Sequence, residues 1–227
     1  ELTLRRWRRF GHSGAKLIFG GEATAVREDG RSSPHQLMAI EQTKLGLAQL
    51  LHAVKQEHLT EYGTTDDLLI GLQLTHSGRF SKPYDFAHYT PRILYHHPIL
   101  DRRVGIQPSD DSAILSDDEI DGIIECYVRS AKIANEVGFD FVDIKHCHGY
   151  LGHEFLSAYT REGKYGGSFA NRTRFLRTIV ERIRTEIPSI HIAIRLSAFD
   201  WIPFHDDETT RDAKHKGIGI PEPFEEL

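Results

Sequence analysis

The chain has 227 residues and a formal charge of −5, enough length to bury a sizeable core and no electrostatic reason to bind nucleic acid or an anionic membrane. Two cysteines, Cys126 and Cys147, exclude a disulfide framework and imply a reducing, cytoplasmic setting. No apolar run approaches the roughly 18 residues of a membrane span, and the first residues lack the apolar core of a secretory leader.

In chain order, "TLRRWRRFGHSG" (3–14) places Leu4, Trp7 and Phe10 at helical spacing, with Arg5, Arg6, Arg8 and Arg9 on the outer face. "AKLIFGG" (15–21) reads as a strand, and His35 to about His58 as a helix with one broad apolar face. A second strand, "DLLIGLQLTH" (67–76), precedes a long insert at 77–115. Then come a helix over 116–138, with Ser116 as N-cap and Gly138 as stop, and a strand in "FDFVDIKH" (139–146). A helix over 166–187 leads to the last strand, "HIAIRLS" (191–197). The triplet Asn171-Arg172-Thr173 matches a glycosylation acceptor but falls inside that helix, which makes it a chance match.

Strands alternating with helices describe βαβ units and a parallel sheet, which can be open and doubly wound or closed into a (β/α)8 TIM barrel. Side-chain parity favours the barrel. Ile70, Leu72 and Leu74, then Val142 and Ile144, then Ile192, Ile194 and Leu196 form purely aliphatic faces. The opposite parities, Gly71-Gln73-Thr75, Phe141-Asp143-Lys145 and Ala193-Arg195-Ser197, turn polar toward the C-terminal ends. The expectation is a single partial TIM-barrel domain over 1–227, with 77–115 as a lid-like insert over the mouth.

On that parity Gln73, Lys145 and Arg195 meet at one mouth. Two cations there need either neutralising carboxylates such as Asp143 or an anionic, electron-rich ligand, and the residues alone leave both open. His148 and Tyr150 add groups able to bond a carbonyl oxygen or move a proton. His146 and His148 also permit a metal-dependent barrel hydrolase, although alternation turns His146 away from Lys145.

Four segments, "GGEATAV" (20–26), "GLQLTHSGR" (71–79), "GFDFVDIKHCHGYLGHEFLSAYTREGKYGGSFANRTRFL" (138–176) and "IAIRLS" (192–197), together resemble the Old Yellow Enzyme family of flavin-dependent oxidoreductases. The resemblance implies FMN at the barrel mouth, contacted by Ala23, Gln73 and Arg195, and hydride passing from NAD(P)H through flavin to an activated alkene. His148 matches the second residue of the pair that grips the substrate carbonyl, Tyr150 matches the proton donor, and Lys145 stands where many members have the first histidine. Two distant cysteines cannot hold the iron–sulfur cluster of the larger relatives. Only the family's second to fifth strands are visible, and the phosphate-binding loops of the later strands are absent. The expectation is therefore a fragment, or a chain inactive until a second copy or a complementary half closes the barrel, with a non-catalytic fragment as the remaining alternative.

Overall fold

A computed structural model describes residues 1–198; the sequence segment "IGIPEPFEEL" lies outside the described residues. Helix α1 spans Leu2–His12 and α2 Lys44–Tyr62. Between them, strands β1 (Leu17–Ile18) and β2 (Thr24–Ala25) both pair in parallel with β3 (Leu69–Thr75). The insert carries α3 (Pro98–Val104), and α4 (Asp117–Val137) leads to β4 (Phe141–His146). Two short helices, α5 (Leu151–Glu154) and α6 (Phe169–Arg172), precede α7 (Arg174–Glu186) and β5 (His191–Leu196).

The sheet order is β1–β3–β4–β5, with β2 beside the far end of β3. Ile70, Leu72, Leu74, Val142 and Ile144 are fully enclosed and share one core with Leu47 and Val54 of α2, Ile120 and Ile124 of α4, and Phe175 and Ile179 of α7. The opposite face is open at its floor, where Leu17, Phe19 and Leu69 are 54%, 45% and 50% exposed. Helices on one face only are the layering of barrel units, whereas a doubly wound sheet carries helices on both. On β5 the outer face is uncovered among the described residues: Ile194 and Leu196 are exposed.

Three boundaries differ from the sequence expectation. The strand expected at 15–21 shrinks to β1 at Leu17–Ile18, because Gly20 takes a positive φ of 88° and a Cβ on Gly21 would lie 2.4 Å from Trp7 Nε1; β2 follows only at Thr24. The helix expected from His35 begins only at Lys44, because the preceding residues pair with β2: Ala25 N–H donates to Leu37 O (2.8 Å) and Ala39 N–H to Ala25 O (2.9 Å). The helix expected over 166–187 starts at Phe169 under a Ser168 cap and breaks at Thr173, whose hydroxyl donates back to Phe169 O at 3.0 Å.

Helix α1 is locked onto α2 at a close backbone approach. His58, fully buried in α2, donates from Nδ1 to Gly11 O (3.0 Å), and its Nε2 faces Lys16 Nζ at 3.0 Å. A Cβ on Gly11 would sit 2.4 Å from Val54 O, a backbone atom that cannot swing aside. Gly11→Ala is therefore expected to cost about 1–3 kcal/mol, read as a lowered urea midpoint; an unchanged midpoint would show that the two helices can part freely.

Candidate active site

Strand register builds the site. Gln73 lies opposite Asp143, and Lys145 opposite Arg195, so all four side chains leave the open face of the sheet toward its C-terminal end. Gln73 Nε2 donates to Asp143 Oδ2 at 2.5 Å, while the other oxygen of this buried carboxylate has no hydrogen-bond partner. The Lys145 ammonium stands 3.9 Å from the centroid of the Tyr150 ring, a cation–π contact. Burial first, and then the neighbouring Arg195, lower its pKa from the ordinary lysine value, with the Asp143 carboxylate acting against that shift.

The turn after β4 is shaped by two successive residues in the left-handed region, His148 (φ 64°) and Gly149 (φ 69°). His148 is exposed at the mouth, and burial followed by the charges of Arg195 and Lys145 lowers its pKa, keeping the imidazole neutral at pH 7. Gly149 N–H donates to His153 Nδ1 at 2.8 Å, and Tyr150 N–H to Cys147 O at 3.3 Å. Tyr150 occupies the N-cap of α5, with its ring 6.5 Å from that of Phe80 in the insert. Ala23 lies at the start of β2, where its carbonyl accepts from Gln36 Nε2 at 2.8 Å.

His146 goes the other way. Its ring is buried beside Phe175 (centroids 6.3 Å apart), over Gly152, where a Cβ would come within 2.7 Å of it, and burial pushes its pKa down to about 3. The structure therefore does not bring His146 and His148 together. Among the described residues, the group of side chains placed to share an ion is His12, Glu57 and Glu61, which contains neither.

Sequence reasoning assigned no role to a buried ionic cluster that ties the insert to the site. Arg79, 1% exposed, pairs with Asp101 and donates from Nη2 to Glu154 Oε1 and Tyr95 O, both at 2.8 Å. Glu154 Oε1 also accepts from Leu94 N–H (2.9 Å), and His96 Nδ1 meets Asp101 at 2.6 Å. Arg79 was legible as part of "GLQLTHSGR", but its partners lie 22 and 75 residues away. The insert also has its own small core of Ile93, Val104, Ile106 and Ala113.

Parallel βα units with their helices outside and a polar mouth at the strand ends define a barrel of the enzyme type. Residues 11–218 match the NADH:flavin oxidoreductase / NADH oxidase family, and the chain belongs to that family. An NADPH dehydrogenase of Clostridium acetobutylicum is 34% identical over 184 residues, covering 79% of this chain and 49% of the relative. The old yellow enzyme homologue of Zymomonas mobilis superposes with a TM-score of 0.66 at 27% identity, covering 86% of this chain and 54% of that one. Morphinone reductase in complex with tetrahydroNAD superposes at 0.65 with 26% identity, over 90% and 58% of the two chains. The chain thus folds as part of a (β/α)8 barrel and spans about half the length of the curated relatives it matches.

Proposed function

We propose that the chain supplies the second to fifth strands of an FMN-dependent oxidoreductase that passes hydride from NAD(P)H to an activated alkene or related acceptor. On this reading it acts once the barrel is completed, by further chain, a second copy or a complementary half. The observation that carries it is the convergence of Gln73, Lys145 and Arg195 on one open face beside Tyr150.

The donor set fits a flavin. Neither Lys145 nor Arg195 has an ion-pair partner among the described residues, and a buried Asp143 oxygen is unpartnered beside the Gln73 amide. An electron-rich ring with both donors and acceptors along its pyrimidine edge suits such a surface. The backbone contact with the ring is assigned to Ala23, whose carbonyl also accepts from Gln36. Bound FMN would supply the hydride-carrying centre. Arg195 would bring a cation to the side of the ring where negative charge collects on reduction. His148, as a neutral donor, and Lys145 would hold the oxygen of the acceptor, and Tyr150 would deliver a proton to its α-carbon.

Flavin retention tests the reading. The completed barrel should co-elute with flavin absorbance on gel filtration, and Arg195→Met should lose at least about tenfold in FMN affinity, the worth of one charge-assisted contact. Absence of flavin from every assembled form, or an unchanged affinity in the variant, would sink the assignment. A compact monomer holding one FMN would show that no completion is needed.

A further inference from the structure

The outer part of the insert is closed at its base by a parallel bridge between Ile93 and Ile114. Ile93 N–H donates to Ala113 O at 2.9 Å, and Leu115 N–H donates to Ile93 O at 2.8 Å. Beyond this bridge the chain runs out through α3 and returns through the turn Asp111–Ala113. His96 joins the outgoing and returning limbs. Its Nδ1 meets Asp101 Oδ2 at 2.6 Å, and its Nε2 meets Asp111 Oδ1 at 2.9 Å.

An ionised carboxylate only accepts hydrogen bonds, so a ring bonded to one at each nitrogen carries a proton on both. A neutral imidazole has a single N–H and serves only one of the two. The other charges around the ring do not change this. On the α3 side, Arg79 holds the second oxygen of Asp101. In the returning turn, Asp110 adds a carboxylate, which accepts from Ser112 N–H at 3.0 Å. Across the adjoining cleft, Arg161 is committed to Asp117 and Leu94 O, and Glu162 is exposed at the rim beside Tyr95. The bond to Asp101, opposed by partial burial and reinforced by Asp111, raises the His96 pKa from its ordinary value.

We propose that His96 is a proton-operated clasp of the insert: as an imidazolium it ties α3 to the returning limb, and on losing its proton it keeps buried Asp101 and releases exposed Asp111. A group whose folded pKa is raised contributes stability that is complete below its unfolded value, about 6.5, and lost as pH rises through the folded value. The insert is therefore held closed at mildly acidic pH and loosens as the solution turns alkaline. Asp101 also anchors Arg79, which reaches Glu154 of α5. The clasp thus acts on the part of the insert that is tied to the Tyr150 side of the mouth.

Magnetic resonance of the unaltered chain tests this at about pH 6 and about pH 9, which bracket the titration of a histidine with a raised pKa. Two quantities are read: the ring-nitrogen shifts of His96, and the exchange protection of the Ile93 and Leu115 amides, corrected for the intrinsic pH dependence of exchange. The expected result is a doubly protonated ring at the lower pH, with protection about three- to tenfold greater there, the worth of one ionic bond to an exposed partner. Asp111→Asn, a change at the surface that leaves the Asp101 bond in place, should remove the difference between the two pH values. His96→Gln should hold both amides at the weaker protection throughout. A neutral ring at about pH 6, equal protection at both pH values, or a difference that survives Asp111→Asn would overturn the proposal.

Discussion

Arg79→Met should destabilise the fold by about 3–5 kcal/mol, because it removes the cation from between two buried carboxylates, leaving Glu154 without a counter-charge and Asp101 with His96 alone. Asp101 and Glu154 are 3% and 2% exposed, so water cannot take over the role of the guanidinium. Glu154 already has its pKa raised by burial, with Arg79 acting against that shift. Without Arg79 the shift grows, and the sign of the pH dependence follows. A carboxyl whose folded pKa exceeds its unfolded value binds its proton more tightly in the native state, so stability falls as pH rises through that range. The deficit of the variant should therefore be largest near neutral pH and shrink on acidification. Urea midpoints at several pH values measure it, and a loss below about 1 kcal/mol at pH 7 would show that the cluster is hydrated in solution. Because Glu154 ends α5 and Phe80 adjoins Arg79, the same change should disturb the Tyr150 side of the mouth.

Tyr150→Phe should slow acceptor reduction in the completed barrel by about 10²–10⁴-fold, the usual worth of a positioned general acid. Reduction of the flavin by NAD(P)H should stay within about twofold, since that half-reaction needs no proton from this residue. The substitution is clean. It deletes only the hydroxyl and keeps the ring that faces Lys145 Nζ at 3.9 Å and contacts Phe80. Stopped-flow measurement of the two half-reactions separates them, and equal losses in both would take Tyr150 out of the donor role.

What the sequence made legible was whatever repeats with a short period or sits at a helix end. Strand parity placed Gln73, Lys145 and Arg195 on one face, and the register agrees. The cap at Ser116 is a reciprocal capping box with Glu119, and Gly138 ends α4 at φ 98°. Long-range features were not legible. The residues from 35 to 43 carry apolar spacing that fits a helix, but Leu37 and Ala39 are bonded to Ala25 of β2 and helical backbone begins only with a 3-10 turn at Glu41–Thr43; periodicity cannot see a partner far along the chain. Gly20 and Gly21 look like the end of a strand, yet they lie between β1 and β2, pressed against Trp7. The Arg79 cluster draws on three separated segments, and nothing in the spacing of Arg79, Asp101 and Glu154 announces their meeting.

The left-handed backbone at His148 bears on how such a pocket can change over generations. Lys145 sits in regular strand geometry, whose backbone angles set no limit on the side chain. Position 148 is different, since a φ of 64° admits histidine, asparagine, aspartate and glycine readily and branched or bulky residues hardly at all. On the proposed reading, a change of acceptor would come through position 145, while peptide sterics restrict position 148 to a short alphabet.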